Sequence, residues 1–201
     1  MWKKADGGLW NCNGIEGKER DAELAMTEHE LSFLVLVEPK ETVLGFSARL
    51  EEQAKVALGW AVVGKGRRSG ERGGGVWIVA KDEETELQEI ESEAQGDDLA
   101  EIAAAFVRPR GAQEWTAVVG VYVTPSQKKL KYRKATLQSV QKVWDKAREI
   151  AKEQHLKVGE YLVMGDLNWG MTRKERRALE HGGGEENKPD GEWQPSIDRE
   201  R

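Results

Sequence analysis

Cysteine is almost missing from this 201-residue chain: Cys12 stands alone, so neither an internal disulfide nor a cysteine-based zinc site can form within it. A reducing compartment fits that usage best. Histidine is scarce too, and His29, His155 and His181 fall at spacings that make no metal cluster; His29 reads as a helix-end residue. No apolar run approaches the roughly 18 residues that cross a bilayer, so no membrane-spanning helix is expected. Met1 to Gly8 lack a charged-then-apolar leader, and secretion is not expected. Gly64-Lys65-Gly66-Arg67-Arg68 lacks the Walker spacing, which excludes a P-loop built on it. Phe and Tyr number three each against eight Trp, an unusual mix that assigns no function by itself. No internal repeat is visible.

What is present is one domain's worth of chain, able to bury about 70% of its unfolded surface. The 31 basic and 36 acidic residues give a net charge of −5, which excludes a generally basic nucleic-acid coat but not a local groove. The average hides two opposed regions. Residues 81–101 carry ten acids and one base, and residues 126–157 carry ten bases and three acids. Solvated surface is the ordinary reading of such blocks.

The continuous run Ser32-Phe33-Leu34-Val35-Leu36-Val37 reads as a central strand covered on both faces and ended by Glu38-Pro39. A helix over residues 19–30 precedes it, with Leu24 and Leu31 on one side. Further strands are expected at 9–13, 58–63 and 76–80, with a Gly/Arg-rich loop at 64–75. Residues 102–107 and 115–123 flank Arg108-Pro109-Arg110-Gly111 and read as a hairpin, although the Ala-rich first half also suits a helix starting near Asp98. Leu137, Val140, Trp144, Ala147 and Ala151 recur at helical spacing and predict a helix over 135–154. A short buried strand follows at 161–164, ending in Gly165-Asp166-Leu167-Asn168. Beyond Trp169 the chain turns polar. Residues 1–170 are therefore read as the domain, and 171–201 as its polar, incomplete C-terminal segment.

Polar residues gather where these strands end: Asn11, Asn13, Glu38, Tyr122, Asp166 and Asn168. Strand ends on one edge of a layered α/β protein converge in space, and loops on a rigid scaffold carry catalytic groups. Carboxylates and amides without His or Cys clusters are hard oxygen donors, suited to Mg²⁺, Mn²⁺ or Ca²⁺ rather than zinc. Taken one at a time, the same residue types also serve as turn formers and N-caps.

In order along the chain stand Trp10-Asn11-Cys12-Asn13-Gly14-Ile15, Val35-Leu36-Val37-Glu38, Arg72-Gly73-Gly74-Gly75-Val76, Val121-Tyr122-Val123-Thr124-Pro125 and Met164-Gly165-Asp166-Leu167-Asn168. This set resembles the ordered motifs of the endonuclease/exonuclease/phosphatase superfamily. The Gly-rich approach to Val76 most resembles the apurinic-endonuclease-like domain of non-LTR retrotransposons. The resemblance implies an α/β fold, a mixed two-sheet sandwich flanked by helices (four-layer, DNase I-like). It implies Mg²⁺- or Mn²⁺-dependent phosphodiester hydrolysis, with DNA as partner, no membrane, and an intracellular, nuclear location. By the same resemblance Glu38 and Asn13 lie at the metal, with Glu38 preferred over the nearby Glu41-Thr42 because it ends the apolar strand directly. Asn11 holds the phosphate and orients Asp166, Tyr122 contacts the phosphate, Asp166 activates water, and Asn168 binds the transition-state oxygens. Such types suit the chemistry: a hard dication and neutral donors stabilise charge developing on phosphate oxygens, and a carboxylate takes the proton from water.

The chain departs from that family at its end. No Ser-Asp-His occurs; Ser196-Ile197-Asp198 resembles the penultimate strand, and Arg199-Glu200-Arg201 follows in place of an apolar one. On the resemblance a terminal strand and one catalytic histidine are missing, an absence expected to lower the rate about 10²-fold or more. Two other readings stay open: a phosphoesterase of the same superfamily acting on a lipid or small molecule, and a non-catalytic nucleic-acid-binding remnant. The remnant would use Lys128, Lys129, Lys131, Arg133 and Lys134 and the helix carrying Lys142, Lys146, Arg148 and Lys152. A solvated helix face explains those charges equally well. Arg67 and Arg68 are uncommitted, and Trp169 suits either base stacking or packing.

Overall fold

A computed structural model describes residues 4–39, 59–65, 74–91, 100–124 and 130–168. Along these the order is β1 (Gly7–Asn11), α1 (Glu19–Glu28), β2 (Phe33–Val37), β3 (Trp60–Lys65), β4 (Val76–Lys81), β5 (Thr85–Glu89), β6 (Ala100–Pro109), β7 (Trp115–Val123), α2 (Leu130–Glu153) and β8 (Val158–Asp166). One sheet has the order β1-β2-β4-β3 and the other β5-β6-β7-β8. In the first, β1 and β2 are parallel and the other pairings antiparallel; in the second, β7 and β8 are parallel and the rest antiparallel.

The alternation of strand side chains explains the layering. From β2, Phe33, Val35 and Val37 join Val76 and Ile78 of β4, and meet Ala103, Ala105, Val107, Val118 and Tyr122 of the second sheet. Leu34 and Leu36 point the other way, onto Ala22 and Met26 of α1. The outer face of the second sheet, with Ile102, Phe106, Val119 and Val121, packs on Val140, Val143, Ala147 and Ala151 of α2. Strands covered on both faces need unbroken apolar sequence, which is what β2, β4 and β7 carry. The result is the expected four-layer α/β sandwich of two mixed sheets between helices. Gly120 lets the sheets close: a Cβ there would stand 2.6 Å from Val76 Cγ1 and 3.1 Å from Val35 Cγ1.

Several boundaries move. β7 runs over 115–123 as expected, whereas β8 begins three residues before its apolar centre, at Val158, because its pairing with β7 continues through Gly159 and Glu160. The Ala-rich stretch is strand and not helix; Ala103 and Ala105 face the sheet interface and Ala104 faces α2. Tertiary packing overrides the helical preference of alanine there. β5 is an element that the acidic block conceals. Thr85 and Leu87 turn inward beside β6 while the acids stay outside, an arrangement suited to a charged sheet edge. On α1 the buried residues are Ala22 and Met26, and Leu24 is 53% exposed, because it lies on the opposite side of the helix from that pair. α1 stops at Glu28 with His29 as its C-cap; Glu30 takes a left-handed φ of 52° and the Leu31 N–H bonds the Met26 carbonyl at 2.8 Å. α2 starts at Leu130, earlier than the apolar periodicity indicates.

Candidate active site

Topology brings one set of strand ends together. The C-terminal ends of β1 and β2 lie side by side, with Asn11 paired to Val37. The N-terminal end of β4 joins them through Val37 and Val76. In the second sheet Tyr122, at the end of β7, is paired with Glu101 at the start of β6 and with Asp166 at the end of β8. Three side-chain bonds cross from one sheet to the other at this edge. Tyr122 donates its O–H to Glu38 Oε1 at 2.5 Å. Asn11 Nδ2 donates to Asp166 Oδ2 at 3.2 Å. The Gly75 N–H donates to Glu101 Oε2 in a short bond.

Each carboxylate is therefore held. Asp166, half-buried, accepts Asn11 on one oxygen and the backbone N–H of Asn168 on the other, at 2.9 Å. Asn168 Nδ2 donates to the Val123 carbonyl at 2.8 Å, tying the end of β8 to the end of β7. Asn11 Oδ1 accepts the backbone N–H of Asn13 at 3.2 Å, a local turn that aims the Asn11 amide at Asp166. Glu38 donates its N–H to the Gly75 carbonyl at 3.1 Å and accepts the Gly14 N–H at 2.7 Å. The structure thus brings Asn11, Glu38, Tyr122, Asp166 and Asn168 to one edge, and Asn13 enters this network through its backbone.

Backbone strain concentrates in the same place. Five described non-glycine residues have positive φ, and two of them, Glu30 and His155, close helices. The other three are Asn13 (45°), Glu38 (54°) and Asn168 (48°). A left-handed conformation costs about 1–2 kcal/mol per residue, and persists where the surroundings over-determine it.

Two residues of the site carry lessons the sequence did not give. Glu101, 9% exposed, falls in the acidic block of the sequence, yet it reaches between the sheets. The signal was its spacing: it precedes Ala103 and Ala105 on the face that turns inward. Cys12 is buried, and burial pushes its thiol up to about 11, which keeps it protonated near neutral pH. Its Sγ instead donates toward the Val37 and Glu38 carbonyls at 3.3 and 3.5 Å, joining the ends of β1 and β2.

No group of three or more His, Cys, Asp or Glu able to hold a metal occurs among the described residues. A dedicated all-protein cage is therefore not what this edge offers. The donor chemistry still fits a hydrated Mg²⁺, which needs only one or two carboxylates besides water and substrate oxygens. Glu38 meets that need, with one oxygen engaged by Tyr122.

On α2, Lys146 pairs with Glu149 at 2.9 Å and Arg148 with Asp145 at 3.0 Å. Those cations are balanced on their own helix. In chain order α2 follows β7 and precedes the parallel strand β8. Glu41, Thr42, Arg67, Arg68, Arg72, Gly73, Lys128, Lys129, Trp169, His181 and the Ser196-Ile197-Asp198 segment lie outside the described residues. No described helix is long and apolar enough to cross a membrane.

No protein-family model matches the sequence, and no curated protein matches it. Solved structures do match. The mannosyl-6-phosphatase of Bacteroides thetaiotaomicron aligns with TM-score 0.51 and 16% identity over 89% of this chain and 70% of its own. The catalytic domain of human Nocturnin, with bound sulfate, gives 0.51 and 9% over 85% and 67%. The Neisseria 3′ phosphatase NExo, bound to a product DNA hairpin, gives 0.50 and 18% over 80% and 56%. The chain thus spans between 56% and 70% of the length of these proteins. At such identities the likeness shows a shared fold, the same two-sheet α/β sandwich.

Proposed function

We propose that this chain is a phosphoester hydrolase, and more finely a Mg²⁺- or Mn²⁺-dependent endonuclease that nicks DNA as the apurinic-endonuclease-like domain of a retroelement. The observation that carries the reading is the doubly held Asp166 carboxylate, between Asn11 and Asn168, beside the Tyr122–Glu38 pair. Asp166 takes a proton from the attacking water, and its two donors fix which lone pairs face the phosphate. Asn11 holds that carboxylate in place while its own amide is fixed by the Asn13 backbone. Asn168 keeps a second amide N–H beyond the one given to Val123, available to a phosphate oxygen. The Tyr122 hydroxyl, held at Glu38, turns between that carboxylate and a phosphate oxygen as charge develops. Glu38 and, beside it, Asn13 are the residues that would hold the metal; when bound, it supplies positive charge to the phosphate oxygens.

The nuclease assignment draws on the ordered motifs and on the Gly-rich approach to Val76, and it carries with it a DNA partner and an intracellular, nuclear location. The balanced charges of Lys146 and Arg148 favour a second reading, hydrolysis of a smaller phosphoester that needs no long basic track. A supercoiled-plasmid nicking assay with Mg²⁺ tests the first reading, comparing wild type with Asp166→Ala and Glu38→Ala. Nicking by wild type that both substitutions abolish is the expected result. Equal nicking by all three removes the assignment, and phosphate release from a small monoester without nicking moves it to the second reading.

A further inference from the structure

Glu101 is a buried carboxylate for which the hydrolytic reading has no use. It stands on the inward face of β6, paired in register with Tyr122, and its Oε2 accepts the Gly75 N–H. Gly75 passes that hold onward, since its carbonyl accepts the Glu38 N–H at 3.1 Å. The glycines at this turn have φ of 89° and 94°, conformations that glycine reaches freely and leaves as freely. Something outside the turn must fix it. A Cβ on Gly74 would stand 2.5 Å from Glu101 Oε2 and 2.6 Å from Oε1, so the carboxylate fills the space that a side chain there would need. The arrangement is costly: a buried carboxylate gives up hydration that only good donors recover.

We infer that Glu101 is a positioning residue. It clamps the Gly74-Gly75 turn and, through the Gly75 carbonyl, sets the backbone of Glu38, while Tyr122 holds the Glu38 carboxylate from the second sheet. The inference rests on the proposed role of Glu38 and adds to it the device that keeps that residue in its strained conformation.

The test uses the full chain and Mn²⁺ as the probe, titrated by electron paramagnetic resonance. Plasmid nicking and amide hydrogen exchange at Gly75 and Glu38 are followed alongside. Glu101→Ala is expected to raise half-saturating Mn²⁺ about 10- to 100-fold, as loss of a supporting partner does at metal sites. It should also speed exchange at both amides. Glu101→Gln keeps an acceptor oxygen and should stay within about threefold of wild type in Mn²⁺ affinity. Gly74→Ala, which pushes on the unchanged carboxylate, should resemble Glu101→Ala and serves if that variant does not fold. Wild-type Mn²⁺ affinity and amide protection in Glu101→Ala or Gly74→Ala overturn the inference. If wild type binds no Mn²⁺ and Glu38→Ala nicks as well as wild type, the role of Glu38 is what fails. The exchange rates at Gly75 and Glu38 then decide the clamp alone, fast exchange supporting it and unchanged exchange overturning it.

Discussion

The Tyr122–Glu38 bond makes a quantitative prediction. The phenol is 4% exposed and its O–H lies 2.5 Å from Glu38 Oε1, spanning the two sheets. Tyr122→Phe keeps the ring in the sheet interface and removes the hydroxyl that bonds Glu38. Hydrogen bonds to charged groups contribute about 1.5–3 kcal/mol. Glu38 is only half-buried, and water can solvate part of the abandoned carboxylate, so the lower half of that range is expected. A double-mutant cycle isolates the pair: Tyr122→Phe, Glu38→Met and the double substitution, each unfolded in urea and monitored by circular dichroism. The Met side chain has about the size of Glu38 but no acceptor oxygen, and the strained backbone is common to all four proteins, so strain cancels. A coupling energy of about 1.5–2 kcal/mol is expected, corresponding to roughly 3–8 °C in melting temperature. Coupling below about 0.3 kcal/mol, the scatter of independent sites, would refute the claim that this bond ties the sheets.

Two further perturbations follow from other parts of the fold. Gly120→Ala forces a methyl 2.6 Å from Val76 Cγ1 and should destabilise by about 1–3 kcal/mol in urea unfolding, with Val76→Ala restoring part of the loss. The Cys12 thiol, pushed by burial from 9.0 to about 11, stays protonated in the fold after it ionises in the unfolded chain. Stability should therefore fall by about 1.4 kcal/mol per pH unit between those two values, relative to Cys12→Ser, and show no such difference below pH 8.

The parts of this fold that were legible in the sequence are those buried on both faces. β2, β4 and β7 sit in the middle of their sheets, so their apolar runs were continuous and their ends were marked by Glu38-Pro39 and by Thr124-Pro125. The edge strands β1 and β3 were legible at 9–13 and 58–63, each two residues from its observed start, but the edges of the second sheet were less so. β5 buries only one face, and the two inward residues Thr85 and Leu87 were outvoted by surrounding acids. The edge strand β8 alternates between half-buried and exposed, with Tyr161 and Val163 open to solvent, so only its centre announced itself. The strand-end polar residues could be found because chain order and strand ends coincide. The Glu101 clamp could not, because it depends on register between β6 and β7 and on the approach of the two sheets at Gly75. No local pattern encodes either.

The most direct measurement is the single-turnover nicking rate of Asp166→Asn against wild type at saturating Mg²⁺, with circular dichroism confirming equal folding. The Asn side chain is isosteric, can still accept one of the two hydrogen bonds, and cannot take a proton from water. The account predicts a rate lower by about 10²- to 10⁴-fold with substrate affinity little changed. Equal rates in the two proteins would contradict Asp166 as the base, and with it the reading of this sheet edge as a phosphodiesterase site.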